Sequence, residues 1–202
     1  MTILAVDTTS NLASVAIRRK GETVSTVTLE SAGGFAHLLF GLIGKCRNEA
    51  KIDLEEVDCF AAAAGPGSFT GVRVGLTAVK GLGEALAKPV SGISNLRALA
   101  SFGKNAGLRA VILDARRSEV YTAVYDAGLR LATEETVGPL EEFLAALGSA
   151  RQHEIIHGTN QPLAPAVALC AELDGQGKWL DPAVLDANYV RRSDAELHWR
   201  EA

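Results

Sequence analysis

Residues 3–7 read ILAVD and residues 110–114 read AVILD. Each stretch is a short apolar run that ends on an aspartate, a pattern that predicts a buried β-strand with a carboxylate at its end. In both halves of the chain, this run is followed by two segments in which apolar and polar residues alternate. A helical segment, another strand and another helix come after them. The sequence therefore predicts two copies of a β-β-β-α-β-α unit, with Asp7 and Asp114 at equivalent positions 107 residues apart. A repeat of this length indicates a duplicated lobe and not a solenoid, whose repeats are about 20–50 residues long.

The elements of each copy follow from the hydrophobic periodicity. In the first copy we expect strands at 3–7, 13–19, 23–29 and 57–64 and helices at 35–50 and 68–87. In the second copy we expect strands at 110–114, 119–126, 129–136 and 154–158, helices at 139–147 and 161–173, and a final extended segment at 188–192. The polar, glycine-containing stretch 101–109 separates the copies. We therefore expect an N-terminal lobe at residues 1–103 and a reduced C-terminal lobe at residues 104–202.

The composition is that of an ordinary globular protein. Of the 202 residues, 48% are hydrophobic and 22% are charged, and the formal net charge is −4. This charge and the small number of aromatic rings do not favour a protein that binds nucleic acid unaided, because phosphate contacts need a cationic excess. We therefore expect any work on RNA to be done with the help of a partner.

The cysteines and the N-terminal segment both indicate a cytoplasmic protein. Cys46, Cys59 and Cys170 are odd in number and far apart, as is usual for reduced thiols that serve packing. The N-terminal segment has no basic residue ahead of its four-residue apolar run, Ile3 to Val6. We therefore expect neither a signal peptide nor a membrane span there.

A duplicated β-β-β-α-β-α lobe whose first strands end on aspartate is the layout of the actin-like ATPase fold, an α/β fold with mixed sheets found in sugar kinases, Hsp70 and actin. Four stretches resemble one branch of that fold, the TsaB family: ILAVDTTS at 3–10, GPGSFTGVRVG at 65–75, LDARRSEVY at 113–121 and NYVRR at 188–192. The resemblance covers nearly the whole chain. It implies a non-catalytic subunit that binds and activates TsaD, which forms the threonylcarbamoyl group on the tRNA adenosine next to the anticodon. It further implies the TsaE ATPase in the complex, a homodimer when the protein is alone, and tRNA contact only through the complex.

Glycines recur every four residues at the start of the second helical segment. Gly67, Gly71 and Gly75 form this stripe, although glycine within a helix costs about 0.8–1.0 kcal/mol relative to alanine. The stripe predicts the close approach of another helix, either within the lobe or from a partner, and the pattern leaves both open. The resemblance favours a partner, because in TsaB proteins the first two helices bind TsaD or a second TsaB. The interface residues predicted in this way are Phe35, Leu38, Leu39, Leu42, Ile43, Cys46, Gly71, Val72, Gly75, Leu76 and Val79.

The residues after the first strand, Asp7, Thr8, Thr9 and Ser10, stand where actin-like enzymes hold nucleotide phosphates and magnesium. The same residues can form a simple turn in which the aspartate bonds its own backbone. We favour the turn and interpret it as a vestigial phosphate-type loop. We expect no catalytic residue, no metal and no resident cofactor, and leave open a nucleotide at an interface shared with the partner. The alternative is an ATP-dependent phosphotransferase that uses Asp7 and Asp114.

Residues 153–157 read HEIIH and match the H-E-x-x-H signature of zinc proteases. That chemistry requires a helix, on which two histidines four residues apart can share one metal. The duplication places these residues on a strand, where four residues span about 13 Å at about 3.3 Å each. We therefore expect no zinc site at His153 and His157.

Overall fold

The computed structural model describes residues 1–148 and 153–190. One sheet contains β1 (Thr2–Asp7), β2 (Leu12–Arg19), β3 (Glu22–Glu30), β4 (Cys59–Gly65) and β5 (Val90–Ser94). The other contains β6 (Leu108–Arg116), β7 (Glu119–Tyr125), β8 (Thr136–Gly138) and β9 (His153–His157). The helices are α1 (Leu39–Ala50), α2 (Phe69–Leu86), α3 (Asn95–Ala100), α4 (Leu140–Ala146) and α5 (Ala164–Asp174). In this part of the chain, no helix has the length and apolar character needed to cross a membrane.

The two sheets repeat one arrangement. Their strand orders are β3-β2-β1-β4-β5 and β8-β7-β6-β9. In each sheet the first strand of the copy is antiparallel to the second strand and parallel to the fourth. Ala5 lies opposite Ala16 and Ala61 in the first sheet, and Ala110 lies opposite Val124 and Ile155 in the second. The duplicated β-β-β-α-β-α unit with mixed sheets, predicted from the sequence, is confirmed.

The first sheet lies between two hydrophobic cores. Successive side chains of β1 point to opposite faces, so Leu4 and Val6 pack beneath α1 and α2, while Ile3 and Ala5 face α5. The core on the α5 side also contains α3 and the inner face of the second sheet. This core therefore joins the two sheets.

Helix α5 comes from the second copy in sequence but packs on β1 and β2 of the first sheet. Arg18 Nε donates to Glu172 Oε2 at 2.6 Å, and the Ala164 N–H donates to Ser14 Oγ at 2.9 Å. The two copies therefore interlock. The lobe boundary between residues 103 and 104 stays a prediction.

The third strand of the second copy, predicted at 129–136, is wrong for most of its length. Only β8 forms there, together with a single bridge between Leu131 and Tyr125. The carboxylate of Glu135 accepts hydrogen bonds from Tyr125 Oη at 2.5 Å and Asn188 Nδ2 at 2.6 Å. These bonds hold residues 129–135 as a loop, although their alternating pattern resembles a strand.

Other boundaries differ by a few residues. The first helix is predicted from residue 35 but begins at Leu39. The residues ahead of it form a separate turn, in which the Phe35 carbonyl accepts from the N–H groups of both Leu38 and Leu39 at 2.9 Å. Strand β5 and helix α3 were not predicted. Of the final segment predicted at 188–192, Arg191 and Arg192 lie outside the described residues.

Candidate functional site

The predicted phosphate-type loop is a buried turn that bonds itself. Asp7 is 3% exposed, and its Oδ1 accepts hydrogen bonds from the Thr9 N–H at 2.9 Å and from Thr9 Oγ1 at 2.6 Å. Burial raises the pKa of Asp7, against the opposing effect of the two bonds from Thr9. Asn95 fastens the turn to β4, since its Nδ2 donates to Thr9 Oγ1 at 2.6 Å and its Oδ1 accepts from the Gly65 N–H at 3.1 Å.

The glycine stripe contacts this same turn. A Cβ at Gly71 would overlap the carbonyl oxygen of Thr8, and one at Gly67 would lie 2.9 Å from the carbonyl oxygen of Thr9. A Cβ at Gly75 would lie 3.0 Å from Thr8 Oγ1. The close approach predicted from the glycines is therefore real, but the prediction that another helix makes it is wrong. The neighbour is the chain's own β1–β2 turn.

Most of the residues predicted to form the partner interface hold α1 and α2 onto the first sheet. Ten of the eleven are buried, and Leu38 is half-buried. Leu39 is 1% exposed and Val79 is 0% exposed. These residues therefore pack within the chain's own core, although Leu39 also lines the groove between the two helices. Their part in a partner interface stays a prediction. The ten are Phe35, Leu39, Leu42, Ile43, Cys46, Gly71, Val72, Gly75, Leu76 and Val79.

The outer surface of the same two helices carries an apolar groove of about 470 Å³. Phe40 of α1 is 60% exposed and Phe69 of α2 is 51% exposed at its walls. Large apolar side chains left in water around a groove usually mark a binding surface. The predicted interface residues do not include Phe40, because it lies beside the main apolar stripe of the helix, although its apolar ring widens that stripe and is the sequence signal of this groove. The full lining is Ala36, Leu39, Phe40, Phe69, Thr70, Arg73, Val74, Thr77 and Ala78.

At one end of the groove, three side chains form a compact cluster, which we call the Phe69–Arg73–Tyr189 cluster. The ring centroids of Phe69 and Tyr189 are 5.8 Å apart, and Arg73 Cζ lies 3.9 Å from the centroid of the Phe69 ring. Arg73 Nε donates to Tyr189 Oη at 3.2 Å. Tyr189, which belongs to one of the stretches that carry the resemblance, thus reaches the start of α2.

The segment before Tyr189 is fastened along its course. The Asn188 N–H donates to the Ala64 carbonyl at 2.8 Å, and Asn188 Nδ2 donates to Glu135. Lys80 Nζ donates to the Leu185 carbonyl at 2.8 Å. These bonds fix the position at which Tyr189 meets α2.

A second concavity, a cleft of about 970 Å³, lies where the first strands of the two copies end. Asp7 and Asp114 both line it, as the internal repeat requires, and Arg116 and His157 line it from the second copy. Asp114 Oδ1 accepts from the Arg116 N–H at 2.8 Å, so this carboxylate also bonds its own turn. Phe69 borders both the cleft and the groove.

The HEIIH stretch forms β9, which confirms its placement on a strand. His153 is half-buried and His157 is exposed. Glu154 accepts hydrogen bonds from the backbone of Asn105 at 2.9 Å and of Lys104 at 3.0 Å, which lower its pKa and close the loop before β6. Among residues 1–148 and 153–190, no three His, Cys, Asp or Glu side chains come together as a metal site would require.

The three cysteines are buried and reduced. Burial raises the pKa of the Cys59 and Cys170 thiols to about 12, and it also raises the pKa of Cys46. Thiols of this kind are unreactive and serve packing.

Two sheets of the same order, whose first strands end on aspartates at one shared cleft, define a protein of the actin-like ATPase fold. A family model described as TsaD, tRNA N6-adenosine threonylcarbamoyltransferase, matches residues 29–166. The tRNA threonylcarbamoyladenosine biosynthesis protein TsaB of Escherichia coli is 31% identical over 167 residues, which cover 81% of this chain and 68% of that protein. The chain therefore belongs to the TsaB family.

Two further relatives cover almost the whole chain. An uncharacterized protein of Mycobacterium tuberculosis is 31% identical over 210 residues, which cover 96% of this chain and 94% of that protein. The solved structure of YeaZ from Pseudomonas aeruginosa superposes with a TM-score of 0.76 at 28% identity and covers 93% of this chain and 99% of that one.

Proposed function

We propose that this protein is a non-catalytic subunit of tRNA threonylcarbamoyladenosine biosynthesis that binds TsaD through the groove between α1 and α2. The observation that carries the proposal is the groove itself, with Phe40 and Phe69 more than half exposed on helices whose inner faces are fixed in the core. Docking there holds TsaD in the conformation that transfers the threonylcarbamoyl group to the adenosine next to the anticodon. Membership of the TsaB family supports the pathway.

The groove has the composition of a protein interface. Aromatic residues and arginine are enriched in such interfaces, and a few of them usually supply most of the binding energy. Phe40, Phe69 and Val74 provide the apolar surface, and Arg73 is the one charged residue among the described residues of the lining. Helices with fixed inner faces lose little conformational entropy when a partner binds, which favours a stable complex.

The turn at Asp7 supports a scaffold and not a catalyst. A carboxylate that holds Mg²⁺ must be ionised and must offer free oxygens to the ion. Asp7 is buried, burial raises its pKa, and Thr9 bonds its Oδ1 twice. This is the geometry of a turn that keeps the fold together.

The other partners follow from the family. We propose that TsaE joins the complex, that two copies pair when TsaD is absent, and that tRNA is reached only through the complex. The subunit holds no nucleotide of its own, and any nucleotide lies at the interface with TsaD.

A second candidate, an ATP-dependent phosphotransferase, is favoured by one observation. The cleft of about 970 Å³ has the size of a nucleotide site and is lined by both Asp7 and Asp114. Calorimetry with Mg-ATP separates the candidates, because a phosphotransferase binds nucleotide without TsaD and the proposed subunit does not.

The docking proposal is tested by titrating TsaD from the same organism with matched variants. Phe40→Asp places a charge in the groove and should abolish binding. Leu173→Asp is the control, because Leu173 is 58% exposed on α5 and lies outside the groove. Equal affinity of both variants for TsaD would show that the groove is not the docking site.

A further inference from the structure

Arg73 carries a charge that no described residue neutralises. It is exposed on α2, and no carboxylate of the described residues lies within 4 Å of its guanidinium. Its surroundings are instead aromatic, since it lies over the Phe69 ring and bonds Tyr189 Oη. An arginine held in this way keeps its charge and loses much of its conformational freedom before any partner arrives.

The contacts with Phe69 and Tyr189 leave available the edge of the Arg73 guanidinium that carries Nη1 and Nη2. Nε is used by Tyr189 Oη, and one face is covered by the Phe69 ring. The terminal nitrogens Nη1 and Nη2 donate to no described residue. Two parallel N–H donors at this edge match the two oxygens of a carboxylate.

In the part of the chain that the structure describes, the groove of a second copy does not supply that carboxylate. In a symmetric dimer through the groove the same surface meets itself, so each Arg73 approaches the groove of the other copy. None of the described residues that line the groove is Asp or Glu. Burying two arginines without an anion is costly, and this cost works against self-association through the groove.

We propose that Arg73 determines which partner the groove accepts: an apolar surface that presents a carboxylate opposite Arg73, in preference to a second copy of this chain. The identity of that partner as TsaD rests on the proposed function. Tyr189 is a positioning residue, because it acts by holding Arg73 in place.

A protein partner fits these observations better than RNA. Bases stack on free aromatic faces, and phosphates bind clusters of cations. Here Arg73 covers Phe69, and the adjoining groove is apolar, with Phe40 and Val74 in its walls.

The first test uses Arg73→Leu, which removes the charge and keeps an apolar side chain. We expect the affinity for TsaD to fall roughly tenfold or more, because an interfacial ion pair is lost. We expect self-association to become stronger, because two unpaired charges leave the dimer interface. Calorimetry measures the first effect, and light scattering over a range of concentrations measures the second.

Two further variants separate charge from geometry. Arg73→Lys keeps the charge without the planar fork, and its affinity for TsaD should lie between those of the parent and Arg73→Leu. Arg130→Leu is the matched control, because Arg130 is exposed, pairs with Asp126 and does not line the groove. It should change neither measurement.

Tyr189→Phe tests the positioning role. It keeps the ring and removes the hydrogen bond to Arg73 Nε, so the affinity for TsaD should fall about three- to tenfold. The readout specific to this role is the salt dependence of the affinity, which arises from the ion pair. That dependence should be steep in the parent, weaker in Tyr189→Phe and weakest in Arg73→Leu.

The outcomes separate this inference from the proposed function. If Arg73→Leu binds TsaD as the parent does while Phe40→Asp does not bind, the partner-selection proposal is wrong and the docking proposal stands. If Phe40→Asp also binds normally, both are wrong. If Arg73→Leu weakens binding of a tRNA anticodon stem-loop but not of TsaD, the occupant is RNA and the partner-selection proposal is overturned.

Discussion

The side chain of Thr8 donates a hydrogen bond from Oγ1 to the backbone carbonyl of Gly71 at 2.6 Å, although 63 residues separate them in the chain. The contact joins the turn after β1 to the first turns of α2. It requires a backbone approach so close that a side chain at Gly71 would overlap Thr8. The glycines of α2 thus let the helix pack against the turn after β1. The opposite face of the helix is free to form the groove.

We expect Gly71→Ala to lower the free energy of unfolding by about 1–3 kcal/mol or more, because the new Cβ must displace the Thr8 carbonyl. Gly81→Ala is the control in the same helix. Nothing lies within 4 Å of a Cβ there, so replacing a helical glycine should stabilise the protein by about 0.5–1 kcal/mol. Urea unfolding of both variants measures the difference, and equal effects would contradict the contact.

The same substitution should have very different effects on stability at two neighbouring residues of α1. Leu39 is 1% exposed and Phe40 is 60% exposed. Leu39→Asp should cost at least about 3 kcal/mol of unfolding free energy, because it places a carboxylate in the core. Phe40→Asp should change stability by no more than about 0.5 kcal/mol.

Thermal unfolding of the two α1 variants checks this expectation. It also decides which variants can test docking. Leu39→Asp and Gly75→Glu disturb the core and the β1–β2 turn, so a loss of partner binding in either would say nothing about the surface. A Phe40→Asp variant that unfolds like Leu39→Asp would contradict the assignment of inner and outer faces.

The buried turn at Asp7 predicts a pH effect on stability. Burial raises the pKa of Asp7 in the folded protein above the value of about 3.9 expected for the unfolded chain. Between these two pKa values the folded state binds more protons, so stability falls as the pH rises through that window and stays reduced above it. Asp7→Asn carries no charge and can still accept from the Thr9 N–H, so it should lose this pH dependence and be at least as stable as the parent at pH 7.

Urea unfolding of the parent and Asp7→Asn between pH 3.5 and 7 is the measurement. The control is Asp114→Asn, which makes the same substitution at the exposed aspartate of the second copy. An Asp7→Asn protein far less stable than the parent at pH 7 would show that the ionised carboxylate holds the turn.

Much of the fold could be predicted because it depends on local patterns. Short apolar runs that end on Asp7 and Asp114 are strong strand signals, and their repetition fixed the order of elements in both copies. The same repetition placed HEIIH on a strand. Strand β5 and helix α3 were missed, although Ser94 is a recognisable N-cap, whose Oγ accepts from the backbone of Leu96 at 3.2 Å.

The loop at 129–135 was mistaken for a strand because alternation of apolar and polar residues does not reveal long-range bonds. Glu135 bonds Tyr125 and Asn188, one of them 53 residues away in the chain. Contacts of this kind depend on tertiary structure and leave no periodic signal in the local sequence.

The residues of the proposed docking surface could not be predicted for a different reason. Helical periodicity identifies the most apolar face, and in α1 and α2 the protein's own sheet buries that face. The proposed docking surface is what remains, which is the smaller apolar set around Phe40, Phe69 and Val74. The signal for such a surface is an apolar residue beside the main stripe.

The central claim is tested most directly by reconstituting threonylcarbamoyl transfer to tRNA with purified TsaD and TsaE from the same organism. We predict that adding this protein stimulates the transfer and that Leu173→Asp stimulates it equally. Phe40→Asp should give no stimulation while unfolding at the temperature of the parent. Full stimulation by Phe40→Asp, or transfer that is equally fast without this protein, would contradict a subunit that activates TsaD through the groove.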